Sequence, residues 1–100
     1  MNMQQMMAQA QKMQRELQKA LKELDEKEFT ISKGGAVTIK MYGSNQIISV
    51  SVDEDAFDAE NKEMVEDMIA LAINEGLEQI KEERDSITER ITGQRGGFGF

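Results

Sequence analysis

Apolar residues at Met3, Met6, Ala10, Met13, Leu17, Ala20 and Leu24 recur at alternating steps of three and four, the spacing that keeps side chains on one side of an α-helix. Met7 and Leu21 widen the stripe, and no Gly, Pro or β-branched residue falls between positions 1 and 27, so this spacing predicts one long helix. From Glu28 the period drops to two. Phe29-Thr30-Ile31, then Val37-Thr38-Ile39, then Ile47, Ile48, Val50 and Val52 predict three short strands. Gly34-Gly35 is read as a two-residue hairpin turn, and Gly43-Ser44-Asn45 closes the second turn. On the middle strand Val37, Ile39 and Met41 take one face and Thr38, Lys40 and Tyr42 the other, which gives the sheet one apolar side.

An acidic connection follows from Asp53 to Asn61, with a short helical turn expected around Phe57. A second long helix then runs to about Ile91, with Asp58 and Asn61 both candidates for its cap. Met64, Val65, Met68, Ile69, Leu71, Ala72 and Ile73 cover well over half its circumference, which implies more than one neighbour, and the stripe later narrows to Leu77, Ile80, Ile87 and Ile91. Thr92-Gly93 is a stop signal. The expected architecture is therefore α+β: long helix, three-stranded antiparallel sheet, long helix, forming one domain over 1–92 with a flexible Gly-rich tail over 93–100. At about 1.5 Å per residue the helices run roughly 39 and 50 Å, against a radius of gyration near 13 Å for a compact chain of this length. Their ends must project, and their apolar stripes call for cover, most simply from a second copy. The expected contact between copies takes in Val37, Ile39, Met41, Ile48 and Val50 of the sheet with Met64 and Met68 of the second helix.

One hundred residues supply a single core, and the absence of Cys and His removes disulfides, Cys/His metal sites and imidazole or thiol catalysis. Carboxylate pairs such as Glu82-Glu83 or Asp53-Asp55 lack any accompanying nucleophile or oxyanion donor, so no enzyme is expected. Asp53-Glu54-Asp55 fails as an EF-hand, because Asp58 stands where that loop needs Gly and Met64 where it needs Glu; no metal or other cofactor is expected. Gly34-Gly35 lacks the Lys and Ser/Thr of a phosphate-binding loop. No window suits a membrane span, and Met1–Met13 lacks the unbroken apolar run of a secretion signal, so a cytoplasmic chain is expected.

Twelve basic against nineteen acidic residues give a net charge of −7, yet the charge is segregated. Asp53, Glu54, Asp55, Asp58, Glu60, Glu63, Glu66 and Asp67 crowd residues 53–67, while Lys12, Arg15, Lys19 and Lys22 fall within an arc of roughly 80° on the back of the first helix. Such a ridge suits phosphates; it also suits a solvated face steadied by Lys12–Glu16 and Lys19–Glu23 pairs. Arg95-Gly96-Gly97-Phe98-Gly99-Phe100 is a single RGG-like unit with interleaved aromatics.

The Gln- and Met-rich helix, the strand block ending in Ser49-Val50-Ser51-Val52-Asp53, and the run from Glu63-Met64-Val65-Glu66-Asp67-Met68 through Ile69-Ala70-Leu71-Ala72-Ile73-Asn74-Glu75 together resemble the YbaB/EbfC family of bacterial nucleoid-associated proteins. The likeness spans nearly the whole chain, with Glu54 where the family commonly has proline. It implies a cytoplasmic, nucleoid-associated homodimer, tweezer-like with projecting helices, that binds duplex DNA with little sequence preference in nucleoid organisation or gene regulation. Charge placement assigns the phosphate contacts to Lys12, Arg15, Lys19 and Lys22, with Arg84, Arg90 and Arg95 as second choices. The competing reading is a prefoldin-like chaperone or adaptor clamp that grips a partner segment with Met-rich helix ends.

Overall fold

The computed structural model describes residues 2–93. Helix α1 (Met3–Glu26) leads into strands β1 (Glu28–Lys33), β2 (Val37–Tyr42) and β3 (Ile47–Val52), and helix α2 (Lys62–Thr92) closes the order. The sheet is antiparallel throughout with β2 in the middle, so the expected α+β architecture is the one observed.

Helix α1 opens on a capping box: the Asn2 side chain accepts from the Gln5 amide at 2.8 Å, and the Gln5 side chain accepts from the Asn2 amide. The first hairpin departs from expectation. Lys33 pairs with Val37, which leaves a three-residue loop, Gly34-Gly35-Ala36, with both glycines at positive φ. Ala36 is kept in place because its carbonyl accepts from the Asp53 amide at 2.7 Å. Two 3₁₀ turns, Glu54–Ala56 and Ala59–Asn61, flank Phe57. Asp58 caps the second of these, accepting from Glu60, whereas Asn61 precedes α2 without a side-chain cap. Gly93 ends α2 in the left-handed region, its amide donating to the Glu89 carbonyl at 2.8 Å.

The core lies between α2 and the inner face of β1 and β2: Ile31, Val37, Ile39 and Met41 meet Ala72, Gly76 and Ile80. Val37, Ile39 and Met41 were expected at a contact between copies, but each is at most 1% exposed within its own chain, so none has surface left for another. The alternating pattern identifies the apolar face of a strand without saying what covers it. Helix α2 crosses β1 and β2 and leaves the apolar side of β3 open, with Ile48 and Val50 exposed. Beyond the sheet α2 runs back beside α1, and the molecule measures 69 × 21 × 16 Å with a radius of gyration of 19.0 Å, so the helices do project.

Candidate nucleic-acid interface

The ion pairs of the described residues divide the cations into two groups. Lys27 meets Glu83 at 2.6 Å, Lys33 meets Glu75 at 2.7 Å and Arg84 meets Asp25 at 2.8 Å; each contact ties α2 to another part of the chain. Lys81 pairs with Asp85 one turn along α2, and that hydrogen bond, followed by the Asp85 charge, raises the Lys81 pKa. Three of these cations thus join α2 to the rest of the chain, and the fourth is paired within α2.

Lys12, Arg15, Lys19 and Lys22 are exposed, and none joins an ion pair with a described residue. The Lys12–Glu16 and Lys19–Glu23 pairs that the spacing permits do not form. The helix carries all four on the side away from Leu17 and Leu24, its two buried residues, so α2 and the sheet hold one face of α1 and solvent meets the other. From Lys12 to Lys22 the ridge runs about 15 Å.

The second-choice residues fall differently. Arg84 donates to Asp25 Oδ1 at 2.8 Å and to the Gly43 carbonyl at 3.0 Å, so it clamps the end of α1 and the β2–β3 turn against α2 and is withdrawn from the surface ridge. Arg90 is exposed in the last turn of α2, where its charge complements the helix's negative end. Arg95 lies outside the described residues. Of the residues expected between copies, Met64 is exposed on α2, while Met68 is half-buried beneath Gly34.

The acidic connection lies at the far end of the sheet from α1. Asp53 bonds Ala36 beside the first hairpin, whereas α1 enters at the opposite end, where the Gly43 amide donates to the Lys27 carbonyl. Six-residue strands separate the two ends by about 20 Å. Among the described residues no group of three or more Asp or Glu is placed to hold a metal ion, and no helix is long and apolar enough to cross a membrane.

Comparison with known proteins gives consistent results. The model of the YbaB/EbfC DNA-binding family matches residues 1–95. A nucleoid-associated protein of Clostridium novyi is 43% identical over 94 residues, covering 93% of this chain and 82% of its own. One from Malacoplasma penetrans is 38% identical over 89 residues, covering 89% and 95% of the two chains. The crystal structure of an uncharacterized Helicobacter pylori protein superposes with a TM-score of 0.73 at 21% identity, covering 90% of this chain and 96% of that one, a likeness of fold.

Proposed function

This chain belongs to the YbaB/EbfC DNA-binding family, and on that premise we propose that it binds duplex DNA as a homodimer, with little sequence preference, through the ridge of Lys12, Arg15, Lys19 and Lys22. The observation that carries the proposal is that these four cations are exposed, outside every described ion pair and gathered on one face of α1, whereas Lys40, Lys62 and Arg90, also exposed and outside those pairs, stand singly on β2 and at the two ends of α2. Three of the four are lysines, point charges spaced along a straight helix back that suit phosphates, and Arg15 alone carries a guanidinium fork, which favours affinity over sequence readout. Action on the nucleoid accords with the names of the relatives.

The second copy is assigned to the open side of β3. Val50 is 48% exposed although it pairs with fully buried Ile39, and Ile48 and Leu77 stand exposed on the same flank. Joining two chains there gives the tweezer-like shape, with both α1 helices projecting. The clamp reading draws on the exposed methionines of α1, and salt separates it from DNA binding, since apolar gripping holds or strengthens as salt rises.

If all four cations of each chain meet phosphate, log affinity falls against log salt with a slope of about −7 for the dimer. Fluorescence anisotropy on a labelled duplex between about 100 and 200 mM salt measures it. Replacing all four by Gln is expected to abolish binding with helix content unchanged. Retained binding, or a slope near zero for the unaltered protein, refutes the assignment.

A further inference from the structure

The projecting half of α1 carries a second surface. Arg84 and Asp25 fix how the antiparallel helices α1 and α2 lie, and eight residues further along each, Thr92 comes level with Leu17. There α2 stops. Leu17 is the last buried residue of α1 toward its start, and beyond it Met13, Met7, Met6 and Met3 are 39%, 56%, 58% and 76% exposed. About 21 Å of helix thus stands alone with its apolar side bare. An isolated helix this short is marginal in water, so the arm needs cover to stay helical.

Three features identify the cover. Five of the apolar positions, 3, 7, 10, 13 and 17, are symmetric about Ala10, so a second α1 laid antiparallel brings Met7 against Met13 of the other copy on both sides of a two-fold axis, with Met6 set against Gln14. Ala10 at the crossing is small enough for the axes to approach closely. The charged residues between Met3 and Leu17 are Lys12, Arg15 and Glu16, and each lies more than about 100° round the helix from Ala10, so two chains of net charge −7 can meet along the stripe without charges in contact. The second helix also continues the line on which α2 stops, its positive N-terminal end toward α2's negative one.

We propose that the arm stripe pairs antiparallel with the same stripe of a second copy, centred on Ala10, joining one dimer to the next. Both basic ridges then face outward on opposite sides of the paired arms, so one pair holds two duplexes. The pairing stands on the stripe alone; the holding of two duplexes rests on the DNA-binding reading above.

The chain contains no cysteine, which makes disulfide trapping clean. In mild oxidant without DNA, Ala10→Cys is expected to link to its own copy at least about tenfold faster than Met3→Cys or Lys12→Cys, because only position 10 meets itself and pairing raises the local thiol concentration. Equal rates at positions 3 and 10 would indicate parallel arms and overturn the proposal, as would no linkage at position 10. A Met7→Glu, Met13→Glu chain opposes like charges across the contact and is expected to lose the species above the dimer in light scattering. Met7→Glu, Met13→Lys opposes unlike charges and is expected to keep it. Equal masses for these two variants would also overturn the pairing. Pull-down of a labelled duplex by an immobilised one is expected to fall about tenfold in the Glu,Glu variant while its binding to a single duplex is unchanged. Linkage at position 10 without single-duplex binding would sink the DNA reading and leave the arm contact standing.

Discussion

Gly76→Ala is expected to destabilise this protein, against the rule for a helix interior. In a solvent-facing turn the change gains about 1 kcal/mol, since alanine restricts the unfolded chain and suits the helix. At position 76 the added Cβ would overlap Met41 Sδ and stand 3.2 Å from Ile31 Cδ1. Met41 is fully buried and Ile31 nearly so, which leaves neither a free direction to move. Forcing a methyl into such a contact costs about 1–3 kcal/mol, so the net effect is a loss of about 1 kcal/mol, or roughly 4–8 °C in Tm for a domain of this size. Thermal melts by circular dichroism at fixed protein concentration measure it, with Ser86→Ala on the exposed side of α2 as the propensity control. Adding Met41→Val removes the overlapping sulfur and is expected to recover part of the loss as a positive coupling. A Gly76→Ala protein as stable as the parent would show that α2 does not need this close approach to the sheet.

Other consequences follow from the same contacts. Arg84→Gln gives up the bonds to Asp25 and Gly43, but the Arg84 side chain is 36% exposed, so the cost should stay below about 1 kcal/mol, with the salt slope of DNA binding unchanged; a reduced slope would return Arg84 to the interface. Asn2→Ala removes the capping box and is expected to cost about 1 kcal/mol locally, read as faster hydrogen exchange in the first turn of α1 with no change in Tm. Val50→Lys puts a charge on the open side of β3 and should convert the dimer to a folded monomer in light scattering; a dimer that persists places the contact elsewhere.

Periodicity disclosed the elements because burial imposes it: the stripe of α1 and the alternation of β2 repeat the two geometries that hide apolar side chains. It disclosed less where several partners compete for one group. Asp58 and Asn61 both suit a cap for α2, but the chain passes through two 3₁₀ turns first, so Asp58 caps the second of these and α2 starts at Asn61 without a side-chain bond. The β-bulge at Lys40/Met41 and the third residue of the first loop leave no mark on the polar–apolar pattern, since both are set by where the backbone hydrogen bonds close. Val37, Ile39 and Met41 read correctly as apolar and inward, but whether α2 or a second chain covers a face is decided by the lengths of the connections. The basic ridge was visible as an angle; that its cations stay out of ion pairs was not, because spacing of four permits a pair without requiring one. Arg84 carries no local signal separating it from Arg15: its partner Asp25 is 59 positions away.

A chain of net charge −7 approaches DNA only if the phosphates sense the ridge more than the remainder. Distance decides this. The acidic connection is at least the length of the sheet away, about 20 Å, and the acids of α2 lie behind α1, about 20 Å from the ridge once both helices' widths are counted. At 0.15 M salt the Debye length is about 8 Å, so both groups are screened over more than two such lengths, and the acids left close to the four cations are Glu16 and Glu23 on α1 itself, two against four. At 0.01 M it grows to about 30 Å, and the phosphates then sense the whole chain. Affinity is therefore expected to follow the straight log–log line above about 0.1 M salt and to flatten as salt falls toward 0.01 M, opposite to a uniformly basic protein. Changing Asp53, Asp55, Asp58 and Glu60 to their amides should restore the line at low salt and leave the upper part untouched. A plot straight down to 0.01 M in the unaltered protein would mean that the acidic remainder does not oppose binding at any range, and that the separation of charge along the molecule has no bearing on how it meets DNA.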